Sequence, residues 1–332
     1  MHNFFSGKSI LLTGHTGFKG AWFSELLLFF GAKLSGFALD PEKHSLFFHL
    51  GLSERMNDIR GDICNLALLQ QTIQETQPQL VIHFAAQSLI SVGRADPIGT
   101  FSTNIMGTVH LLDSIRMFAN VPVLVVTSDK CYVANENPRR VGDILGGSDP
   151  YSASKAAVEM VVQAYRGSFG MNIATARAGN AIGGGDWGKN RLIPDVMRAK
   201  YYGKSMTIRH PLARRPWQHV LDLSRGYAML AAQLLQGKGF RAWNFGPEQS
   251  ITVKQVLAEM GVGSSVVYEQ NPPTENLCLR LEGEETALLL GWRNRLDWKQ
   301  AIQWTVEDYQ LLYDNPSQIG QRIQQRIQQL YS

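Results

Sequence analysis

Cysteine is scarce. Cys64, Cys131 and Cys278 are the only three in a chain of 332 residues, and they stand far apart. They offer neither a paired disulfide framework nor the close spacing of a metal site, so no metal is expected and a reducing compartment fits. Long apolar runs are missing too. The longest, near Ala21–Ala32, is interrupted by Ser24 and Glu25 and is too short to span a bilayer. The N-terminus lacks the layout of a signal peptide. These absences lead to the expectation of a cytoplasmic protein without membrane contact. Charge of one sign is not in excess: 32 Lys and Arg stand against 28 Asp and Glu, a net +4. That surplus suits a small anionic ligand. A basic stripe interleaved with aromatics is lacking, so nucleic acid is not expected as a partner. Repeats and low-complexity tracts are absent, apart from a Gln-rich end at Gln318–Gln329 that reads as a polar helix.

What is present is apolar mass. With 44% hydrophobic and 18% charged residues, the chain can build a core as one large domain or two interlocked ones. The first half alternates strand-like and helical patterns. Strands are expected at Ser9–Thr13, Lys33–Leu39, Leu80–Phe84 and Val121–Val126, and helices at Ala21–Phe30, Leu66–Thr76 and Gly107–Met117. Apolar strands without polar alternation belong to a parallel sheet covered on both faces, so an α/β, Rossmann-type doubly wound fold is expected. After about Ala176, prolines and glycines punctuate shorter elements, which read as a smaller mixed α/β region. The expected division is a dinucleotide-binding domain over 1–176, with about 213–236 packing back onto it, and a substrate domain over 177–212 and 237–332. No linker-type boundary separates them, so a shared cleft is expected.

The first chemical motif is Gly14-His15-Thr16-Gly17-Phe18-Lys19-Gly20, between a strand and a helix. Glycines there let the backbone turn tightly and approach a pyrophosphate seated at a helix N-terminus. The spacing is GxxGxxG, and no Gly-Lys-Ser/Thr of a Walker loop follows. Asp40, about 20 residues on, stands where a carboxylate binds the adenosine ribose diol and favours NAD over NADP; it reads equally as a turn-initiating Asp before Pro41. Asp62 and Ile63 could lie by the adenine. Ala85, Ala86 and Gln87, after His83 and Phe84, are small or polar residues at a strand end, where a backbone nears a cofactor. His83 itself reads as structural, and His219 as a packed or turn-bonding residue.

The sharpest signal is Tyr151-Ser152-Ala153-Ser154-Lys155. Tyr and Lys at i and i+4 share a helix face. The ammonium can lower the phenol pKa and hold a nicotinamide ribose, and the phenolate can take a hydroxyl proton as hydride leaves carbon. One strand earlier, Thr127-Ser128-Asp129-Lys130 supplies hydroxyls, an acid and an amine in series. Asp129 and Lys130 also read as a plain ion pair at a strand end.

With these strings the chain resembles the extended short-chain dehydrogenase/reductase superfamily. Within it the chain is similar to the nucleotide-sugar 4,6-dehydratases, above all those of CDP-glucose. The strings behind the closer likeness are GHTGFKGAW at Gly14–Trp22, TSDKCY at Thr127–Tyr132, GGSDPYSASKAAVE at Gly146–Glu159, RAGNAIGGGDW at Arg177–Trp187, RLIPD at Arg191–Asp195 and RPWQHV at Arg215–Val220. The resemblance implies an internal redox cycle with NAD. Tyr151 takes the sugar O4 proton as hydride leaves C4, water departs across C5 and C6, and hydride returns to C6. It assigns Ser128 to polarising O4, Asp129 to protonating the departing hydroxyl, and Lys130 to the place of the C5 base, which a lysine can fill only if burial or neighbouring cations lower its pKa enough to leave a free amine. Gly14, Thr16, Gly17, Phe18, Lys19, Gly20, Asn104 and Thr127 fall to the cofactor with those named above. Gln87, Asn180, Arg191, Leu192, Arg209, Arg215, Trp217 and Glu275 fall to the nucleotide sugar, the guanidinium forks suiting phosphate oxygens. Any single Arg also reads as a solvated or interdomain charge. Relatives pair through two helices, so a homodimer or dimer of dimers is implied, compatible with the face of Ala153, Ala156, Ala157, Met160 and Val161.

Two stretches depart from the family. Tyr132–Asp143 lacks the usual Trp and Gly-Tyr-Arg of a loop beside the active site, and the lysine expected after Leu281 is absent. An epimerase or reductase on the same fold would keep Tyr151 and Lys155 without needing Asp129 and Lys130. A cofactor-sensing protein without turnover is a third reading, against which Ser128, Tyr151 and Lys155 speak.

Overall fold

A computed structural model describes residues 2–135, 137–262, 266–269 and 278–331. Seven parallel strands form the main sheet: β1 (Ser9–Thr13), β2 (Lys33–Ala38), β3 (Asn57–Arg60), β4 (Leu80–His83), β5 (Val123–Val126), β6 (Ile173–Ala178) and β7 (Ala242–Phe245). Their order is β7-β6-β5-β4-β1-β2-β3. Thr13 therefore lies between Phe37 and His83, and the winding reverses between β1 and β4. Reversal sends the two following connections to opposite faces and opens a crevice at the carboxyl ends of the strands.

The apolar strands are buried on both sides, as their composition requires. Side chains alternate across a strand. Ile10, Leu12, Leu80, Ile82, Leu124 and Val126 enter one core, whereas Leu11, Val81, Val123 and Val125 enter the other. The first core receives α1 (Phe18–Phe29) through Trp22, Phe23 and Leu26. The second receives α2 (Leu66–Thr76), α3 (Gly107–Phe118) and α4 (Pro150–Phe169) through Leu69, Leu111, Ile115 and Val158. After β6, α5 (Leu192–Tyr201) leaves the sheet and α6 (Val220–Leu235) returns to pack on it against α1, while α7 (Trp298–Asp314) and α8 (Ile319–Tyr331) follow β7. The first core runs on without a break into Val256, Trp292, Ile302 and Tyr309, so both parts of the chain share it.

Three expectations are corrected. Ala242–Phe245, inside the span assigned to the substrate domain, pairs with β6 as the last strand of the main sheet. The Gln-rich end is a helix but not a polar one. Ile319, Ile323, Ile327 and Leu330 form one fully buried face, because apolar residues every three or four positions align on a helix whatever fills the gaps. The α4 face proposed for pairing is partly spent inside the chain. Ala156 packs with Cys131, Tyr132 and Leu281, and Val161 against the second core, while Met160 stays exposed. Among the described residues no helix is long and apolar enough to cross a membrane, and no group of side chains is placed to hold a metal.

Ile327→Ala should lower the unfolding free energy by about 2–4 kcal/mol, and Gln328→Ala, on the exposed face, should change it by under about 0.5 kcal/mol. Urea melts of the two variants check this.

Candidate active site

A single cavity of about 1720 Å³ occupies the crevice. A drug-sized ligand fills about 300–1,000 Å³, so this volume accommodates two extended ligands side by side. It is walled by the segments following β1, β4, β5 and β6 and closed from the other side by residues of α5 and the 206–217 region. Lysines and arginines outnumber aspartates in these walls, which favours anionic occupants.

The floor begins with the glycine loop. Gly14 has φ +75, and a Cβ there would come within 2.6 Å of Ala85 N; a Cβ on Gly20 would come within 2.1 Å of Gly14 O. Both must be glycine for the loop to pass under the strand ends. Gly17 caps α1 without a side-chain bond, so the first-turn N–H groups face the cavity beside Thr16, Phe18 and Lys19. This is the arrangement that receives a pyrophosphate. Thr16 Oγ1 donates to Leu39 O at 3.0 Å, fastening the loop to the end of β2. Lys19 projects among cations. Burial lowers its pKa to about 8, assisted by Arg191 and Lys155 and opposed by Asp129.

On the opposite wall, Asp149 starts α4 by accepting from Ser152 N at 3.1 Å, with Pro150 at the first helical position. The helix therefore opens at the cavity, and Tyr151 and Lys155 lie on its first turns, both nearly buried. Ser128 caps the short turn Asp129–Cys131, its Oγ accepting from Lys130 N at 3.2 Å. The same hydroxyl donates to Asp129 Oδ1 at 2.9 Å, and Lys130 Nζ lies 3.4 Å from that oxygen. Asp129 Oδ2 is buried without a protein partner among the described residues. Burial raises the Tyr151 pKa. The groups that oppose this are Lys130, the Ser128 hydroxyl bonded to it, and Arg191. The sequence reading gave that task to Lys155; here Lys130 is the foremost cation acting on the phenol. Burial also lowers Lys155 to about 8, opposed by Glu159.

Ala85, Ala86, Gln87, Asp62, Ile63 and Thr127 all line the cavity, as do Asn180, Arg191, Leu192, Arg209, Arg215 and Trp217. Asn180 Oδ1 is buried and has no protein partner among the described residues. Arg191 is committed: it grips Asp186 with both contacts at 2.9 Å and Ser88 Oγ at 2.8 Å, leaving its remaining edge for a ligand. Trp217 donates to Ile251 O at 3.1 Å and pairs along the backbone with Asn180.

Two candidates stand elsewhere. Asp40 is outside the cavity wall, its side chain 90% exposed and 4.0 Å from Arg60; Leu39 takes its place in the wall. Asn104 is buried behind it. Its Oδ1 accepts from Gln87 N at 2.8 Å, and its Nδ2 donates to Gln87 O at 3.0 Å and Ser154 Oγ at 2.8 Å, so it sets the Gln87 backbone. Glu275 lies outside the described residues. His83 is structural, between Thr13 at 2.7 Å and Thr108 at 3.0 Å, and burial holds it neutral with a pKa of about 3. His219 caps α6, its Nδ1 accepting from Leu221 N at 3.2 Å. The sequence reading missed Asp186, whose GGGDW string was visible but whose grip on Arg191 was not. It also missed Tyr227, a buried phenol behind Asp129 and Tyr151 whose hydroxyl has no partner among the described residues.

The departing loop is closed at its ends and fixed in its middle. Tyr132 bridges Leu145, and Arg139 bridges Leu281. Val133 and Ala134, between the anchors, reach the cavity mouth.

Comparison with known proteins follows the geometry. Residues 10–246 match the model of the NAD dependent epimerase/dehydratase family. A CDP-glucose 4,6-dehydratase of Salmonella typhimurium is 42% identical over 315 residues, 88% of each chain. Among solved structures, a dTDP-glucose 4,6-dehydratase of Streptomyces venezuelae with NAD bound superposes with a TM-score of 0.81. It is 24% identical, over 93% of this chain and 99% of that one. A UDP-glucose 4-epimerase of Brucella ovis in complex with NAD gives 0.82 at 23% identity, over 90% and 97%. These two likenesses bear on the fold alone.

Asn104→Ala should cost about 1–3 kcal/mol in denaturant melts, because it strands the buried Gln87 backbone groups. Asp40→Ala, at the exposed rim, should stay within about 0.5 kcal/mol of the parent.

Proposed function

The chain belongs to the NAD dependent epimerase/dehydratase family, and from that premise we propose that it is a nucleotide-sugar 4,6-dehydratase, a hydro-lyase converting CDP-glucose to CDP-4-keto-6-deoxyglucose. One observation carries the reading: a hydroxyl, an acid and an amine, Ser128, Asp129 and Lys130, stand beside the Tyr151 phenol in the same cavity. An epimerase needs only the phenol and its lysine. The 42% identity to a protein of that activity supports the reading.

The glycine cradle and the open first turn of α1 fit a dinucleotide pyrophosphate, with Asp62 and Ile63 toward the adenosine end and Lys155 toward the nicotinamide ribose. NAD bound there supplies a hydride acceptor for sugar C4 and a donor for C6. Ser128 turns its hydroxyl hydrogen from Asp129 Oδ1 to the sugar O4 while Tyr151 takes the O4 proton, the phenolate being stabilised by Lys130 and Arg191. The resulting 4-keto group acidifies the C5 hydrogen; once the Lys130 ammonium has passed a proton to the Asp129 carboxyl, 3.4 Å away, its free amine removes that hydrogen, and the proton on Asp129 leaves with the C6 hydroxyl as water. Asp129 holds Oδ1 on Ser128 and Lys130, so Oδ2, free of protein donors, is the oxygen that can carry the proton for the departing C6 hydroxyl. Asn180, Arg191, Arg209, Arg215 and Trp217 form the nucleotide-diphosphate half, so that residues 1–176 serve the cofactor and 177–212 with much of 237–332 the sugar nucleotide. The reading extends to a cytoplasmic enzyme feeding deoxysugar synthesis for polysaccharides. It acts as a homodimer or dimer of dimers through the exposed Met117, Phe118, Met160 and Phe169 of α3 and α4.

Incubation with CDP-glucose, and with dTDP-glucose and GDP-mannose in parallel, tests the reading by mass spectrometry. Loss of one water from CDP-glucose alone is the expected result; an unchanged mass with sugar epimerised would overturn it. Asp129→Asn should slow water loss at least about tenfold more than C4 oxidation, a difference of about 1.4 kcal/mol in barrier, so reduced nicotinamide accumulates at 340 nm. Equal slowing of both steps removes Asp129 from the acid role. Lys155→Met should weaken NAD retention and abolish turnover, and wild-type rates from it would sink the Tyr–Lys assignment.

A further inference from the structure

Glu159 is a buried charge that this chemistry leaves unused. It lies one turn beyond Lys155 and two beyond Tyr151 on α4, and it is 1% exposed. Oε1 accepts from Thr127 Oγ1 at 2.6 Å. Oε2 accepts from Thr175 Oγ1 at 2.9 Å and Arg177 Nη2 at 2.8 Å. Arg177 reaches on to the Tyr132 hydroxyl at 2.6 Å and Val141 O at 2.9 Å, and Tyr132 donates to Asn244 Oδ1 at 2.7 Å. The network thus runs from β7 and the departing loop to Thr127, the residue before the reactive row.

A buried ion pair is a weak source of stability, since apolar groups of the same volume serve as well or better. Its place beneath the reactive lysine suggests another use. The Lys155 ammonium is 6% exposed and has no hydrogen-bonded carboxylate among the described residues. Glu159 is the foremost group opposing its desolvation. The other titratable groups around it give little help: the Cys131 thiol is kept protonated by burial, His83 is neutral, and Lys19 has the same sign. We propose that Glu159 is a positioning residue, whose carboxylate keeps Lys155 charged in the dry floor of the site and holds Thr127, and with it the Ser128–Asp129 turn, at the strand end.

The activity arm of the test rests on the dehydratase reading; the titration arm does not. Lys155 is acetylated in the full chain, without substrate, over a range of pH, and the extent is read by peptide mass spectrometry. In the parent the reactivity midpoint should lie near pH 8. Glu159→Gln keeps the shape and removes the charge, so the midpoint should fall by about one unit or more, and the alkaline limb of turnover should move down with it. That change leaves Arg177 buried without a counter-charge and can prevent folding. Glu159→Gln/Arg177→Met removes both charges; Glu159, and not Arg177, is the charge that supports Lys155, so the midpoint should still lie below the parent's. A midpoint that is the same in the folded single variant as in the parent overturns the proposal, whatever the activity. So does a folded double variant with the parent's midpoint, because Glu159 would then serve only to neutralise Arg177. A shifted midpoint in a chain that never dehydrates a sugar nucleotide faults the reaction and leaves Glu159 in its role.

Discussion

The backbone of the glycine loop passes so close to the end of β4 that a single methyl group at Gly14 would overlap Ala85 N. That approach is the constraint from which the rest of the site follows. It fixes where α1 starts and therefore where its first-turn N–H groups and Lys19 point. It brings the floor of the cavity level with the ends of β4 and β5, which carry Gln87 and the Ser128–Lys130 row. The strand order supplies the crevice, and the absence of two β-carbons lets the chain line it closely.

Charge is the second organising quantity. Lys19, Lys130, Lys155 and Arg191 converge on one carboxylate, Asp129, in a space partly removed from water. Removal from water lowers the proton affinity of both buried amines, Lys19 and Lys155, to about 8, and for Lys19 the like charges of Arg191 and Lys155 add to it. Both cations are therefore largely retained at neutral pH and given up in mild alkali. The same cluster stabilises a phenolate at Tyr151, which burial alone would make harder to form.

Most of the sheet was legible because its strands are apolar throughout and punctuated by glycine, proline and aspartate. Asn57–Arg60 was not: as a half-buried edge strand it carries Asn, Asp and Arg, and edge positions need no apolar run. Ala242–Phe245 was hidden by the long segment that separates it from its partner, since pairing across the chain leaves no local mark. In the site, local motifs announced Gly14–Gly20, Ser128–Lys130 and Tyr151–Lys155. Asn104 and Asp40 were assigned by position in a pattern, which does not report whether a side chain faces the cavity or the interior. Glu159 and Asp186 escaped notice because their importance lies in what they hold: the partners of Glu159 are distant in sequence, and Asp186 meets Arg191 across a loop whose path no local pattern marks.

The anchoring of the 132–145 segment has a consequence for how the protein can change. Its ends, Tyr132 and Leu145, are bridged to each other, its middle is bridged at Arg139 to Leu281, and Tyr132 and Val141 are held by the Arg177 guanidinium, while Val133 and Ala134 line the cavity. Arg177 also binds Glu159, and Glu159 binds Thr127, so a change in this segment is felt at the strand end that carries the reactive row. Substrate preference and catalytic chemistry are mechanically coupled, and a segment that adapts to a new sugar must keep Tyr132 and Val141 where Arg177 needs them.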